Sequence, residues 1–326
     1  MARKIVLAAQ PLHPVATALL QEQTEFRVAS SPDPSVVARE IKGVHGLAVR
    51  LSPVTAEIID AADCLEVIGR NGVGVDNIDM AAATRRGIPV VYTPEANTVS
   101  VAEHVLGVAL ALAKKYPLMD RETRLGHWSV RDQYGRELTG RTFGFIGLGR
   151  IGSLAARKCK GAFDAEILAY DPYLKPEKAA AAGATLLGSL DELLARSDVV
   201  SIHVPLTPET RGLIGARELA MMKPTAYLIN ASRGSIVDEV ALADALRRGT
   251  IAGAALDVFE QEPLPPNHHL CGVPNLLLTP HSAALTEEAV ERMASTLARG
   301  MLAVLNGEQP QFVANPQVLQ RRSERS

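Results

Sequence analysis

Short apolar runs alternate with helix-length amphipathic segments from one end of the 326-residue chain to the other. A strand covered on both faces reads as an unbroken apolar run, and strands separated by helices pair in parallel. The alternation therefore demands an α/β fold with helices on both faces of its sheets. The first hundred residues hold strand candidates at 5–9, 46–50, 65–69 and 89–92, parted by helical stretches and by turns such as Ser30-Ser31-Pro32-Asp33-Pro34. A second series of six occupies 142–147, 166–170, 198–204, 226–231, 251–257 and 276–279, enough for a complete doubly wound sheet. At roughly 100 to 200 residues per domain, the length predicts two domains and a core that folds without staples.

Between the two series, residues 100–116 are apolar on nearly every face, with Ser100 and Glu103 in capping-box spacing at their start. Such a helix is buried, at a junction between domains or between subunits. Residues 118–139, rich in charge and carrying the only tryptophan, Trp128, read as a loop lying against a partner or a cleft. A last helix is predicted over 285–306, and 320–326 reads as a solvated tail. The 34 Lys and Arg against 36 Asp and Glu leave a formal charge of −2, with both signs interspersed, which argues against nucleic acid as the partner. The opening apolar run of five residues ends at Gln10 and Pro11, too short for a signal segment or a membrane span. Cys64, Cys159 and Cys271 are widely spaced, odd in number and without a CxxC pair. They read as three reduced, buried thiols of a cytoplasmic protein, and no metal ligand is assigned.

The strand candidate at 142–147 runs directly into Gly147-Leu148-Gly149-Arg150-Ile151-Gly152 and then into a helical pattern. In this setting Gly147 permits the tight turn, Gly149 lets backbone approach a pyrophosphate, and Gly152 lets helix pack closely on strand. The free N–H groups at the helix start favour an anion. The next strand ends in Asp171, 22 residues beyond Gly149, near the spacing of about 20 expected for the acid that accepts hydrogen bonds from both ribose hydroxyls. A carboxylate there repels a 2′-phosphate, so the cofactor reading is NAD over NADP.

Three polar residues follow later strands, at the ends where open α/β sheets bind ligands. Arg233 lies in Asn230-Ala231-Ser232-Arg233-Gly234, Glu262 precedes Pro263-Leu264-Pro265, and His281 follows Thr279-Pro280. The Arg233 fork suits a substrate carboxylate and polarises the adjacent carbonyl. His281 would give or take the hydroxyl proton, with Glu262 orienting the imidazole and favouring its protonated form. Each residue alone has an ordinary structural explanation; their joint occurrence is what carries the reading.

These motifs, with Asp171-Pro172, the run from Asn230 through Ile236-Val237-Asp238 to Glu239, and Gly253-Ala254-Ala255-Leu256-Asp257-Val258-Phe259, resemble the D-isomer-specific 2-hydroxyacid dehydrogenase family. The resemblance covers all but about the last dozen residues. It implies hydride transfer between substrate C2 and nicotinamide, with catalytic roles for Arg233, Glu262 and His281. It further implies cofactor contacts from Gly147, Gly149, Arg150, Ile151, Gly152, Asp171, Val204, Ala231, Ser232, Asp257, Ser282, Ala283 and Ala284. On this view residues 1–99 with 283–326 form a flavodoxin-like substrate domain, into which a Rossmann NAD-binding domain, 100–282, is inserted. The cleft between them would close on substrate, and helix 100–116 with the Trp128 segment would make the contacts of a homodimer or homotetramer.

The segment Arg70-Asn71-Gly72-Val73-Gly74 offers a glycine-rich backbone that can present N–H groups to a carboxylate. It most resembles the family's D-3-phosphoglycerate dehydrogenases. Arg50 and Arg70 would flank this site, with Arg131 supplied by a partner subunit. Such a cluster suits a phosphate, and equally a second carboxylate or the protein's own acids. Phosphohydroxypyruvate, in serine biosynthesis, is the leading substrate and hydroxypyruvate or glyoxylate the alternative. An ending near residue 326 predicts no carboxyl-terminal regulatory module. Relatives that act as NAD-sensing corepressors keep the catalytic trio, so that binding role stands as a minor third reading.

Overall fold

The computed structural model describes residues 3–323, with side chains through residue 320. It comprises two compact units, Met1–Asn97 with Leu285–Ser326, and Thr98–Ala284. The first unit opens with β1 (Ile5–Ala8), α1 (Pro14–Gln23), β2 (Glu25–Val28), α2 (Pro34–Glu40), β3 (Gly46–Val49), α3 (Ala56–Ala61), β4 (Val67–Arg70), α4 (Met80–Arg85) and β5 (Val90–Val91). Its strands pair in parallel in the order β2-β1-β3-β4-β5, the flavodoxin-like arrangement. Asp33, Thr55 and Asp79 cap α2, α3 and α4 by accepting backbone N–H groups of the first turn. Alternation along the strands divides the core: Leu7, Leu47, Val49, Ile68 and Val90 pack with α2, α3 and α4, whereas Val6, Ala8, Ala48, Val67 and Val91 face the opposite layer.

The second unit holds α5 (Thr98–Ala113), α6 (Tyr116–Arg124), β6 (Thr142–Ile146), α7 (Arg150–Phe163), β7 (Glu166–Tyr170), α8 (Pro176–Ala181), β8 (Thr185–Leu186), α9 (Leu190–Arg196), β9 (Val199–Ile202), α10 (Ala216–Met221), β10 (Tyr227–Asn230), α11 (Glu239–Arg248), β11 (Gly253–Leu256) and β12 (Leu276–Leu278). The sheet order is β12-β11-β10-β9-β6-β7-β8, all parallel. Numbered within this unit it is the doubly wound order 3-2-1-4-5-6 with one further strand, and the order reverses at β6. Phe143, Phe145, Ile167 and Ile229 pack with α5 and α7 on one face; Ile146, Leu168, Ile202 and Leu228 pack with α9, α10 and α11 on the other. The chain then returns to the first unit through α12 (Glu287–Leu305) and α13 (Gln317–Ser323). Gly69 of β4 makes that return possible, because a Cβ there would sit 2.4 Å from Met301 Sδ and 2.7 Å from Leu297 of α12.

Several expectations are corrected. The edge strands β2 and β8 lack an apolar run: β2 reads Glu-Phe-Arg-Val and β8 has only two residues, so the second sheet has seven strands rather than six. The helix expected from Ser100 begins at Thr98, and Ser100 is not its cap; its buried hydroxyl donates to Ala283 O at 2.6 Å. Within 100–116 of the single chain, Glu103, Gly107 and Tyr116 are exposed. Residues 118–139 are not simply a loop: α6 and a 3-10 turn at Trp128–Asp132 occupy much of them. α6 is polar overall and buries none of its residues, and pairs such as Arg124–Asp120 lie along it, so its short segment reads as a loop. The expected tail at 320–326 belongs partly to α13, and 324–326 lie outside the described residues. Only Cys159 is buried, where its thiol is pushed up to about 12 by burial; Cys64 and Cys271 are free and exposed. Among the described residues no helix is long and apolar enough to cross a membrane.

Candidate active site

The glycine turn joins β6 to α7 at the point where the sheet order reverses, between β9 and β7. Gly147 has φ +87°, and a Cβ on it would meet His203 O at 2.7 Å, so no other residue fits without movement. A Cβ on Gly152 would lie 2.4 Å from Gly147 O; its absence is what seats the helix on the turn. Gly149 differs: a Cβ there would meet nothing within 4 Å, and as N-cap of α7 it offers no side chain to the helix's first N–H groups. With no acidic residue in the first turn either, these donors and the positive end of the helix dipole suit a pyrophosphate. Arg150 and Ile151 open the helix.

Asp171 ends the neighbouring strand and accepts hydrogen bonds from Leu148 N at 3.0 Å and Tyr173 N at 3.1 Å. The carboxylate is thereby fixed against the glycine turn. Its oxygens retain acceptor capacity for a diol. Val204 follows β9, and Ala231 and Ser232 follow β10, where Ser232 Oγ donates to Ile202 O at 2.6 Å and so ties those two strand ends together. His203 stacks on Phe145 and contacts Ser201 Oγ at 2.8 Å through Nε2; burial drives its pKa down to about 4. It is a neutral packing group.

The catalytic candidates lie beyond the carboxyl ends of β10, β11 and β12, three consecutive strands at one side of the sheet. His281 Nδ1 and Glu262 Oε2 are 2.6 Å apart, while Glu262 Oε1 accepts Phe259 N–H at 2.9 Å. Burial works to raise the Glu262 pKa, but the hydrogen bonds from His281 and Phe259 and the charges of His281 and Arg233 prevail and hold it below its ordinary value. All three candidates are thus brought together. The backbone packing explains how: a Cβ on Gly234, next to Arg233, would lie 1.9 Å from the Phe259 carbonyl carbon. Asn230 Nδ2 donates to Arg233 O at 2.9 Å, and Arg233 Nη1 to Ser232 O at 2.7 Å.

His281 has φ +52°, a left-handed backbone that costs a branched or bulky residue about 1 to 3 kcal/mol. Buried Asp257 imposes it. Its Oδ1 accepts Thr279 Oγ1 at 2.6 Å and Ser282 N at 2.8 Å, its Oδ2 accepts Ala283 N at 2.9 Å, and its carbonyl accepts His281 N at 2.8 Å. Asp257, at 2% exposure, therefore positions the loop from His281 to Ala284. Sequence spacing alone could not have separated this role from direct ligand contact.

In the first unit, Val49 and Arg70 are register partners, so Arg50 and Arg70 lie on adjacent strand ends. They are not equivalent. Arg50 is exposed and its guanidinium makes no hydrogen bond or ion pair among the described residues. Arg70 is buried, and its Nη1 donates to the carbonyl of Asn71 at 2.6 Å, folded over Gly72, where a Cβ would collide with it. Val73 and Gly74 complete the loop, which Asn77 ties to the Arg50 and Ser52 carbonyls. Arg131 is an exposed residue of the 3-10 turn in the second unit.

A doubly wound sheet with a glycine turn at its switch point, a ribose-type acid and an Arg–Glu–His set defines a dinucleotide-binding protein equipped for proton transfer. The family model described as D-isomer specific 2-hydroxyacid dehydrogenase, NAD binding domain, matches residues 106–283. A glyoxylate reductase of Thermofilum pendens is 44% identical over 99% of this chain and 97% of its own length. A D-3-phosphoglycerate dehydrogenase of Methanocaldococcus jannaschii is 43% identical over 95% of this chain, which spans 59% of that relative. The solved structure of the TT0316 protein from Thermus thermophilus superposes with TM-score 0.88 at 36% identity, covering 95% of this chain and 99% of that one. The chain belongs to the D-isomer specific 2-hydroxyacid dehydrogenase family.

Proposed function

We propose that the protein is an NAD-dependent oxidoreductase acting between a D-2-hydroxy acid and its 2-oxo acid, with 3-phosphoglycerate and phosphohydroxypyruvate as the pair. The 2.6 Å Glu262–His281 contact beside Arg233 carries the reaction class. Gly147, Gly149, Gly152 and Asp171 would hold NAD, which when bound supplies the hydride acceptor. Arg233 binds the substrate carboxylate with its fork and draws electron density from C2. With Nδ1 engaged by Glu262, His281 has Nε2 for the hydroxyl, and accepts its proton as the C2–H electron pair leaves and the carbonyl forms. Glu262 stabilises the resulting imidazolium. In the reverse direction the same ring returns the proton to the carbonyl oxygen.

Arg50, exposed and uncommitted, supports a phosphate at the far end of the substrate; Arg70, engaged with its own loop, supports it less. A second reading, a reductase of hydroxypyruvate or glyoxylate, draws on the Thermofilum relative that matches over nearly its full length. The deciding experiment follows NADH oxidation with phosphohydroxypyruvate, hydroxypyruvate, glyoxylate, pyruvate and 2-oxoglutarate. A catalytic efficiency highest on the phosphorylated acid, and lost selectively in Arg50→Ala, supports the first reading. Equal or better turnover of the unphosphorylated acids replaces it with the second. Bound NADH without turnover of any acid would favour an NAD-sensing binding role.

Asp171→Ala is expected to reduce the preference for NADH over NADPH at least about tenfold, because the repulsion of a 2′-phosphate and the ribose acceptor vanish together. An unchanged ratio of the two efficiencies would remove Asp171 from the cofactor site. The exposed Tyr116, Leu125, Trp128 and Tyr134 support a homodimer covered along this segment, readable from the mass in solution.

A further inference from the structure

The start of α11 and the turn after β11 bring together Glu239, His268 and His269, whose ligand atoms all lie within 4.8 Å of one another. Glu239 is 5% exposed, and carboxylates are seldom buried to that degree without a positive partner. Its Oε1 accepts Glu260 N–H at 2.7 Å; its Oε2 faces His268 Nε2 at 3.6 Å, beyond hydrogen-bond distance. The two imidazoles stand with ring centroids 4.1 Å apart at 40°. Arg247 Nη2 donates to His269 O at 3.1 Å and Cys271 N to His268 O at 2.8 Å, so the backbone of the turn is held in place.

We propose that Glu239, His268 and His269 bind a divalent transition-metal ion of the Zn²⁺ type. One carboxylate oxygen and two imidazole nitrogens are the donors such ions take at about 2.0 to 2.2 Å, whereas Mg²⁺ and Ca²⁺ prefer oxygen throughout. An ion between Glu239 Oε2 and His268 Nε2 occupies the present 3.6 Å gap with little movement. His268 Nδ1 then carries the ring proton and releases the contact from Leu270 N, which at 3.5 Å is already at the limit. His269 is exposed and offers a ligand nitrogen within 4.8 Å of those of Glu239 and His268. Three protein ligands leave a fourth position to solvent, so the ion is exchangeable. Its place is structural: it ties α11 to the turn that carries Glu262, since Glu260 is already bonded to Glu239.

The test is equilibrium dialysis of the untagged full chain against ZnCl₂ alone, with the visible absorption of Co²⁺ as a second readout and no substrate or cofactor present. One equivalent per chain is expected, with affinity lowered at least about tenfold in His269→Ala, a surface change that leaves the fold intact. Tetrahedral Co²⁺ bands should vanish in the same variant and persist in Cys271→Ser. Less than one equivalent in the parent chain overturns the proposal. So does undiminished binding in His269→Ala, or a loss confined to Cys271→Ser or Cys64→Ser, which would assign the ion to a thiol. None of these results depends on which acid the enzyme reduces.

Discussion

His281→Ala should lower kcat/KM with the preferred 2-oxo acid by about 10²- to 10⁴-fold, the range for loss of a positioned acid or base, while NADH binding measured by fluorescence stays unchanged. The confinement of the effect to chemistry follows from the loop's construction. Asp257 holds it through Ser282 N and Ala283 N as well as through the His281 backbone, so truncating the ring leaves the anchors in place. The left-handed backbone at His281 adds a control. Asparagine adopts that conformation more readily than most residues, so His281→Asn should restore any stability lost in the alanine variant without restoring rate. Should His281→Ala reduce the acid at the parental rate, the proton donor lies elsewhere. If instead both variants lost NADH binding, His281 would be a structural residue of the cofactor site.

What was legible in the sequence shares one property: it is local. The glycines of the turn, Asp171 at the next strand end, and Arg233, Glu262 and His281 each follow a strand at short range, and a parallel sheet gathers all such positions on one edge. What the sequence withheld depends on distance or on side-chain direction. The resemblance offered Asp257 as a cofactor contact, and only three-dimensional contacts give it the task of clamping His281 to Ala283. Arg50 and Arg70 looked alike, yet one is exposed and the other is folded onto Asn71. Glu239 and the two histidines, far apart in sequence, meet only because α11 and the turn after β11 adjoin. The edge strands β2 and β8 were missed for a different reason: largely exposed, they need no apolar run, whereas the edge strands β5 and β12 kept theirs. Ser100 shows that capping-box spacing can arise where a hydroxyl serves another segment.

Arg233→Ala is expected to lower kcat/KM at least about 10²-fold, and Arg233→Lys to recover only a small part, since an ammonium replaces charge but not the paired donors that match a carboxylate. The loss should fall on KM as well as kcat, because the fork both holds the substrate and polarises its carbonyl. The loop should survive the change. Asn230 is bonded to the backbone of Arg233 and of Ser232, and these bonds do not involve the Arg233 side chain. A second readout separates electrostatics from misfolding. Arg233 is one of the charges that hold the Glu262 carboxyl below its ordinary value of 4.5. A carboxyl with a depressed folded pKa contributes its stabilisation fully above the unfolded value and loses it as pH falls through the folded one. Without Arg233 the folded value rises, so the stabilisation from Glu262 should be smaller and fade at higher pH. Acid unfolding of the alanine variant should therefore begin at higher pH than that of the parent, with the lysine variant between them. If the alanine variant unfolded with the parental acid profile and kept the parental KM, Arg233 would be removed from both the substrate carboxylate and the Glu262–His281 pair.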